Sequence, residues 1–258
     1  MAQGTRTRIS TPPTPYLSRL MEFAEPVRED VCLDVAYGDG PVGPAMSPRV
    51  RHVTTVDAAP RAVRAATPHD GRTPTVVFTS GTRSTAPERR AFDPDAPAIR
   101  ADASALPYRD GSFTLVTSRF SLFRMADPGR ALREMLRVCR PGGRLVIADL
   151  VRPNLASPDR DRIERLRDPA HPPTPSVARL VDLITGAGAD VRRLDIFTVE
   201  RPVEPWLADA PDPRAADGIR TALTAEVDGG PRTGAKPRII GGELWFTQSW
   251  AHVAAHRV

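Results

Sequence analysis

Short apolar runs alternate along this chain with amphipathic stretches, and the first run ends in a glycine-rich turn. VCLDVAY (31–37), HVTTVD (52–57), FTLVTS (113–118) and RLVIADLV (144–151) read as strands that are apolar on both faces. Strands of that kind belong in a parallel sheet covered on both sides. Between them lie helical patterns. PYLSRLMEFA (15–24) spaces Leu17, Leu20, Met21 and Phe23 for a leading helix, and PRAVRAA (60–66) opens on a proline suited to a first turn. Asp127 and Pro128 start a helix whose apolar face is Leu132, Met135, Leu136 and Cys139, stopped by Pro141-Gly142-Gly143. Ser176 caps another, with Val177, Leu180, Val181 and Ile184, ended by Gly186 and Gly188. VRRLDIFTVE (191–200) is a sixth strand and ELWFTQSWAHVAAH (243–256) a last, antiparallel one. The expected class is α/β: a doubly wound, mostly parallel seven-stranded sheet with a last antiparallel strand and a C-terminal cap insertion.

Two stretches break the rhythm. Residues 67–98 hold five prolines and one strand-like piece, VVF at 76–78. Residues 201–242 hold Trp206, a helical pattern over 213–227 and the run GGPRTGAKPRIIGG, read as a cap or insertion over the site, with disorder at 228–242 as the alternative. The expected organisation is a flexible N-terminus (1–14) and a single domain (15–258) with insertions at 67–98 and 201–242. The 28 prolines among 258 residues, about twice the usual share, fit rigid loops better than a uniform sandwich or bundle.

Composition narrows the function classes. Net charge is +5, and all the cations but Lys236 are arginines scattered among acids. A nucleic-acid groove needs clustered cations or stacking aromatics, so no nucleic-acid partner is expected. No apolar stretch approaches the ~18 residues of a membrane span, and MAQGTRTRIS lacks the apolar core of a secretory signal. Cys32 and Cys139 lie in buried-looking elements, with no CxxC or His/Cys cluster to hold zinc, so no metal is expected. These features read as a reduced, cytoplasmic protein without membrane contact, a monomer or homodimer.

In an open parallel sheet, ligands sit beyond the carboxyl ends of the strands where strand order reverses. That edge carries Asp34, Ala36, Gly38, Gly40 and Gly43 after the first strand, and Asp57 after the second. Glycines let backbone approach a ligand, and a strand-end carboxylate can accept both hydroxyl hydrogens of a ribose. Asp102 could accept an adenine amino hydrogen while the Ala103 amide donates. Gly38, Gly40 and Gly43 also match a dinucleotide fingerprint, but Pro44 and Pro48 interrupt the helix a pyrophosphate would need.

The stretch DASALPYRDGSFTLVTSRFSLFRMADPGRALREMLRVCRPGGRLVIADLVRP, with VCLDVAYGDG and TTVDAAP upstream, resembles class I S-adenosylmethionine-dependent methyltransferases of the ubiquinone/menaquinone C-methyltransferase-like (type 11) group. LRDPAH at 166–171 resembles a segment after their fifth strand. The resemblance implies S-adenosylmethionine as cofactor, with Asp34, Ala36, Gly38 and Gly40 at its methionine end, Asp57 on the ribose, and Asp102 with Ala103 on adenine. Arg119 and Phe120 would stand near the transferring methyl and the substrate. His171 is the candidate base, with packing beside Pro172-Pro173 as the bland reading. Asp149 reads as a loop cap, and Trp206, Trp245 and Trp250 as packing residues. The glycine motif is degenerate: Ala36-Tyr37-Gly38-Asp39-Gly40 stands where the family usually has Gly-Cys-Gly-Thr-Gly.

The implied function is methyl transfer to a small-molecule acceptor, in secondary metabolism, with the Trp-containing C-terminal part suited to an aromatic or polyketide-like acceptor. The degenerate motif motivates a second reading. A methyltransferase-fold enzyme that no longer transfers methyl would fold a natural-product intermediate for cyclisation, elimination or rearrangement. A non-catalytic partner subunit is a third.

Overall fold

The computed structural model describes residues 15–36, 40–58, 99–152, 160–208, 210 and 212–257. The expected helix at 60–66, the strand-like 76–78, the 67–98 insertion, the N-terminus 1–14 and residues 37–39, Gly38 included, lie outside them.

The chain runs α1 (Pro15–Ala24), β1 (Val31–Val35), α2 (Val42–Met46), β2 (His52–Asp57), β3 (Ile99–Arg100) and β4 (Phe113–Arg119). A single 3-10 turn at Leu122–Arg124 leads to α3 (Pro128–Val138) and β5 (Cys139–Val151). Next come α4 (Asp161–Arg167), α5 (Val177–Gly186), β6 (Ala189–Pro202), α6 (Val203–Leu207), α7 (Pro213–Val227), β7 (Arg238–Ile240) and β8 (Glu243–Arg257). The strands form one sheet in the order β3-β2-β1-β4-β5-β8-β6, with β7 paired to β8 off that path. Strands β1 to β5 pair in parallel, and β8 inserts antiparallel between β5 and β6. The mostly parallel sheet with a last antiparallel strand is therefore present. Beyond the seven expected strands, β7 turns back onto β8 through Gly241 and Gly242, both at positive φ, as a two-residue hairpin demands.

Alternation within the apolar runs supplies both faces of the sheet. Leu33, Val35, Val116, Leu145, Ile147 and Val253 point into a core with Leu132, Met135 and Leu136 of α3 and Leu180 and Ile184 of α5. Cys32, Val53, Leu115 and Val146 point the other way, onto Leu17, Leu20, Met21 of α1 and Met46 of α2. A one-residue slip would exchange the two cores. Truncation of a fully buried leucine such as Leu115 to Ala carries a cost of about 2–5 kcal/mol.

The helix stops work locally. Asp127 accepts a hydrogen bond from the Arg130 amide at the start of α3, and the Ser176 hydroxyl accepts from the Arg179 amide at the start of α5. Cys139, read from sequence as the last of the α3 face, is extended (φ −73°, ψ 130°) and begins β5. A Cβ on Gly143 would lie 2.7 Å from Cys139 Sγ and 2.9 Å from the Arg140 carbonyl, so only glycine fits where the chain folds back. A third apolar cluster joins Ile163, Val203, Trp206, Leu207, Ile219, Leu223, Ala235 and Phe246, tying α4, α6 and α7 to the first half of β8.

Candidate functional site

Strand order reverses between β1 and β4, whose carboxyl ends lie side by side with Asp34 opposite Thr117 and Val35 opposite Ser118. Asp34 is 2% exposed. Its carboxylate accepts the Thr117 hydroxyl at 2.9 Å, and the Gly43 amide also donates to it. Burial raises its pKa to about 7, against the opposing pull of Thr117, the Arg119 cation and Gly43. Among the described residues it makes no salt bridge. Ala36, two residues on, has φ 57°. That left-handed conformation costs a residue with a Cβ about 1–2 kcal/mol relative to its ordinary geometry, and glycine is its usual occupant.

The other members of the edge follow the ends of the adjacent strands. Gly40 is half-buried just ahead of α2. Asp57 ends β2 opposite Arg100, half-buried, and its carbonyl accepts the Ala101 amide. Asp102 is exposed, and its Oδ1 accepts both the amide and the hydroxyl of Ser104 at 2.8 Å, which holds its pKa below the usual value. Ala103 packs against the main core. Thus Asp34, Ala36, Gly40, Asp57, Asp102 and Ala103 lie along the carboxyl side of β1, β2 and β3; Asp102 also closes its own turn.

Phe120 follows β4 with φ 54°, a conformation a bulky residue rarely holds. The surroundings hold it there. Its amide donates to the Ala148 carbonyl at 2.8 Å, and its ring meets Trp250 edge-on at 4.7 Å between centroids. The Arg119 guanidinium stacks 4.2 Å from the Phe120 centroid and 5.8 Å from Trp250. Burial, with Arg201 nearby, lowers the Arg119 pKa to about 10, so it stays a cation at neutral pH.

Phe120 also lines a pocket of about 160 Å³ together with Phe123, Asp149, Glu164, His171, Arg201 and Trp206. His171 is therefore brought to the same cavity as Phe120, whereas Arg119 is absent from its lining and stacks on Phe120. Burial lowers the His171 pKa, which leaves the ring neutral at pH 7, with Nε2 3.4 Å from the Thr174 hydroxyl. Asp149, read from sequence as a cap, is 6% exposed on this wall. It does take backbone amides, from Leu150 and Leu122, yet burial still raises its pKa to about 7. Its signal in the sequence was a lone carboxylate closing the apolar run LVIAD beside the reversal point. Trp206 packs on Phe246 at 4.6 Å and also faces the cavity, so the packing reading captured half of its position.

Among the described residues no group of three or more His, Cys, Asp or Glu is arranged to hold a metal, and no helix is long and apolar enough to cross a membrane. The family described as "Methyltransferase domain" matches residues 33–147. A demethylmenaquinone methyltransferase from Clavibacter sepedonicus is 32% identical over 128 residues, 50% of this chain and 44% of that protein. The chain spans about half the length of this relative and of another curated relative that it matches over 125 residues. Among solved structures, the YcgJ protein from Bacillus subtilis superposes with a TM-score of 0.66 at 20% identity, over 94% of this chain and 98% of that one. The [4+2]-cyclase SpnF superposes with a TM-score of 0.55 at 17% identity, over 94% and 80%. At these identities the two structures speak for the fold alone. Residues 33–147 match the methyltransferase domain family, and the sheet that carries them has the fold of these solved structures.

Proposed function

We propose that this protein transfers a methyl group from S-adenosylmethionine to a small-molecule acceptor. The observation that carries the reading is the position of Phe120. It directly follows β4, the strand that pairs with β1 at the reversal point, and lines the separate pocket that holds His171.

The chemistry of the edge fits such a cofactor. Asp34 is a buried carboxylate with no salt bridge among the described residues, and a ligand ammonium beside it would restore its charge. Asp57 would take the ribose hydroxyls, Asp102 with Ala103 the adenine edge, and Ala36 and Gly40 would line the methionine end. When bound, the sulfonium supplies an electrophilic methyl group. The protein's own share is alignment and exclusion of water. Phe120, pinned by Trp250 and Arg119, is the wall between the two sites, and Arg201 and Trp206 close the acceptor side. His171, neutral at pH 7, accepts a proton if the acceptor must lose one. Calorimetry with S-adenosylmethionine and S-adenosylhomocysteine tests the reading. Binding at sub-millimolar concentration is expected, and its absence overturns the proposal.

A second reading has its own observation. Ala36 holds a left-handed conformation where the family usually has glycine, which puts a Cβ at the methionine end. The fold also serves a [4+2]-cyclase. In that reading the pocket folds a substrate for cyclisation, elimination or rearrangement. Labelled methyl appearing in no product, despite cofactor binding and substrate turnover, would favour it.

A further inference from the structure

Arg167 and Arg201 line this pocket, and Arg119 stacks on Phe120 beside it. Burial and then Arg201 lower the pKa of Arg119; burial and then Arg167 lower that of Arg201, against the pull of Glu164. Among the described residues none of the three makes a salt bridge. Every other charge on the pocket wall but one is paired. Arg124 holds Asp168 at 2.5 Å, and Arg160 holds Glu164 at 2.9 Å. Glu164 Oε1 also takes the Gln248 amide at 2.8 Å. The remaining acid, Asp149, is held by backbone amides and shifted toward its neutral form. Arg201 has one long hydrogen bond, 3.4 Å to Gln248 Oε1, and that oxygen is shared with the Trp250 indole at 3.3 Å. Arg167 donates Nε to the Trp206 carbonyl and stacks on the Trp206 ring. Arg167 and Arg201 thus line one cavity whose other walls include Phe120, Phe123, Trp206 and Pro172.

Two half-buried cations that repel each other and form no salt bridge are poorly solvated, a state that a bound anion relieves and that Glu164, already paired with Arg160, offsets only in part. A planar carboxylate matches the guanidinium fork in two parallel hydrogen bonds. The aromatic residues of the lining, Phe120, Phe123 and Trp206, favour a flat scaffold behind it. We propose that Arg201, with Arg167 beside it, binds a carboxylate on the acceptor, which makes the acceptor an aromatic or similarly planar acid. The inference rests on the reading of this pocket as the acceptor site. Arg119, stacked on Phe120 and near Asp34, is the cation left for the carboxylate of the cofactor.

The two sources of carboxylate separate by titration of the full chain. With S-adenosylhomocysteine saturating, benzoate, salicylate and indole-3-acetate are each compared with the corresponding amide. The acids are expected to bind at least about tenfold more tightly than the amides. Arg201→Gln is expected to remove about tenfold of that preference, and Arg201→Lys to recover part of it. S-adenosylhomocysteine affinity and melting temperature stay at wild-type values in both. Equal binding of acids and amides, no acid binding up to about 10 mM, or an undiminished preference in Arg201→Gln overturns the inference. So does a variant that loses S-adenosylhomocysteine while keeping the acids, which would assign Arg201 to the cofactor. Failure of the wild-type protein to bind S-adenosylhomocysteine, with acid preference intact, removes the methyl-transfer reading alone.

Discussion

Thr117 donates its hydroxyl to the Asp34 carboxylate at 2.9 Å, and the two residues are register partners across β1 and β4. This hydrogen bond opposes the burial that drives Asp34 to a pKa of about 7. The folded state holds this proton more tightly than the unfolded chain, whose carboxyl titrates near 3.8. The contribution of Asp34 to stability is therefore complete below about pH 4 and is lost as pH rises through 7. Thr117→Val removes the donor from a buried acceptor, at a cost of about 1–3 kcal/mol. Urea denaturation should show a larger loss at pH 8, where Asp34 is ionised, than at pH 5. Equal losses at both would break the link.

The same carboxyl makes ligand binding pH-dependent. An ammonium placed beside Asp34 favours its ionised form. Affinity for S-adenosylhomocysteine should rise between pH 6 and pH 8 with release of a proton, read by calorimetry in buffers of different ionisation enthalpy. Asp34→Asn should flatten that dependence and weaken binding about 10- to 100-fold.

Two residues of the site, Ala36 and Phe120, hold left-handed backbone. Ala36→Gly removes the Cβ strain but frees the unfolded chain, so the net gain is at most about 1 kcal/mol. It should also tighten cofactor binding. At Phe120, both Ala and Gly remove the ring that meets Trp250, and acceptor turnover should fall at least about tenfold in each. The Gly variant should be the more stable of the two, since only it relieves the φ of 54°. Chemical denaturation of the pair reads that difference directly.

His171 and Asp149 face one cavity, the first shifted down and the second up by burial. If His171 takes the proton, His171→Gln lowers kcat by about 10²- to 10⁴-fold and leaves the cofactor Kd alone. The acid limb of the pH-rate profile would vanish with it. Asp149→Asn showing that behaviour in place of His171→Gln would transfer the role.

His252 lies between Ala148 and Asp195 in the sheet, 1% exposed against the rings of Phe23 and Phe197. Burial lowers its pKa to about 4. Its folded pKa is below the usual 6.5, so its contribution to stability is present above that value and is lost as pH falls toward 4. His252→Phe should make stability less sensitive to pH between 6.5 and 4, measured by melting temperature across that range.

The alternation of apolar runs and capped helices was enough to read the sheet, since each strand needs two apolar faces and each helix one, a constraint written locally. Asp127 and Ser176 cap helices because a short oxygen-bearing side chain meets orphan amides only a few residues away. That Asp34, Ala36, Gly40 and Asp57 lie along one edge was legible for a related reason: each stands at or just after the end of a parallel strand. The short strand β7 was not, because three residues form a strand only when β8 offers them an edge. Nor was the pocket. Asp149, Glu164, Arg201 and Gln248 come from separate elements, and each is ordinary in its own segment. What they do depends on burial and on which charges find partners, and those are decided only when β5, α4, β6 and β8 are brought together.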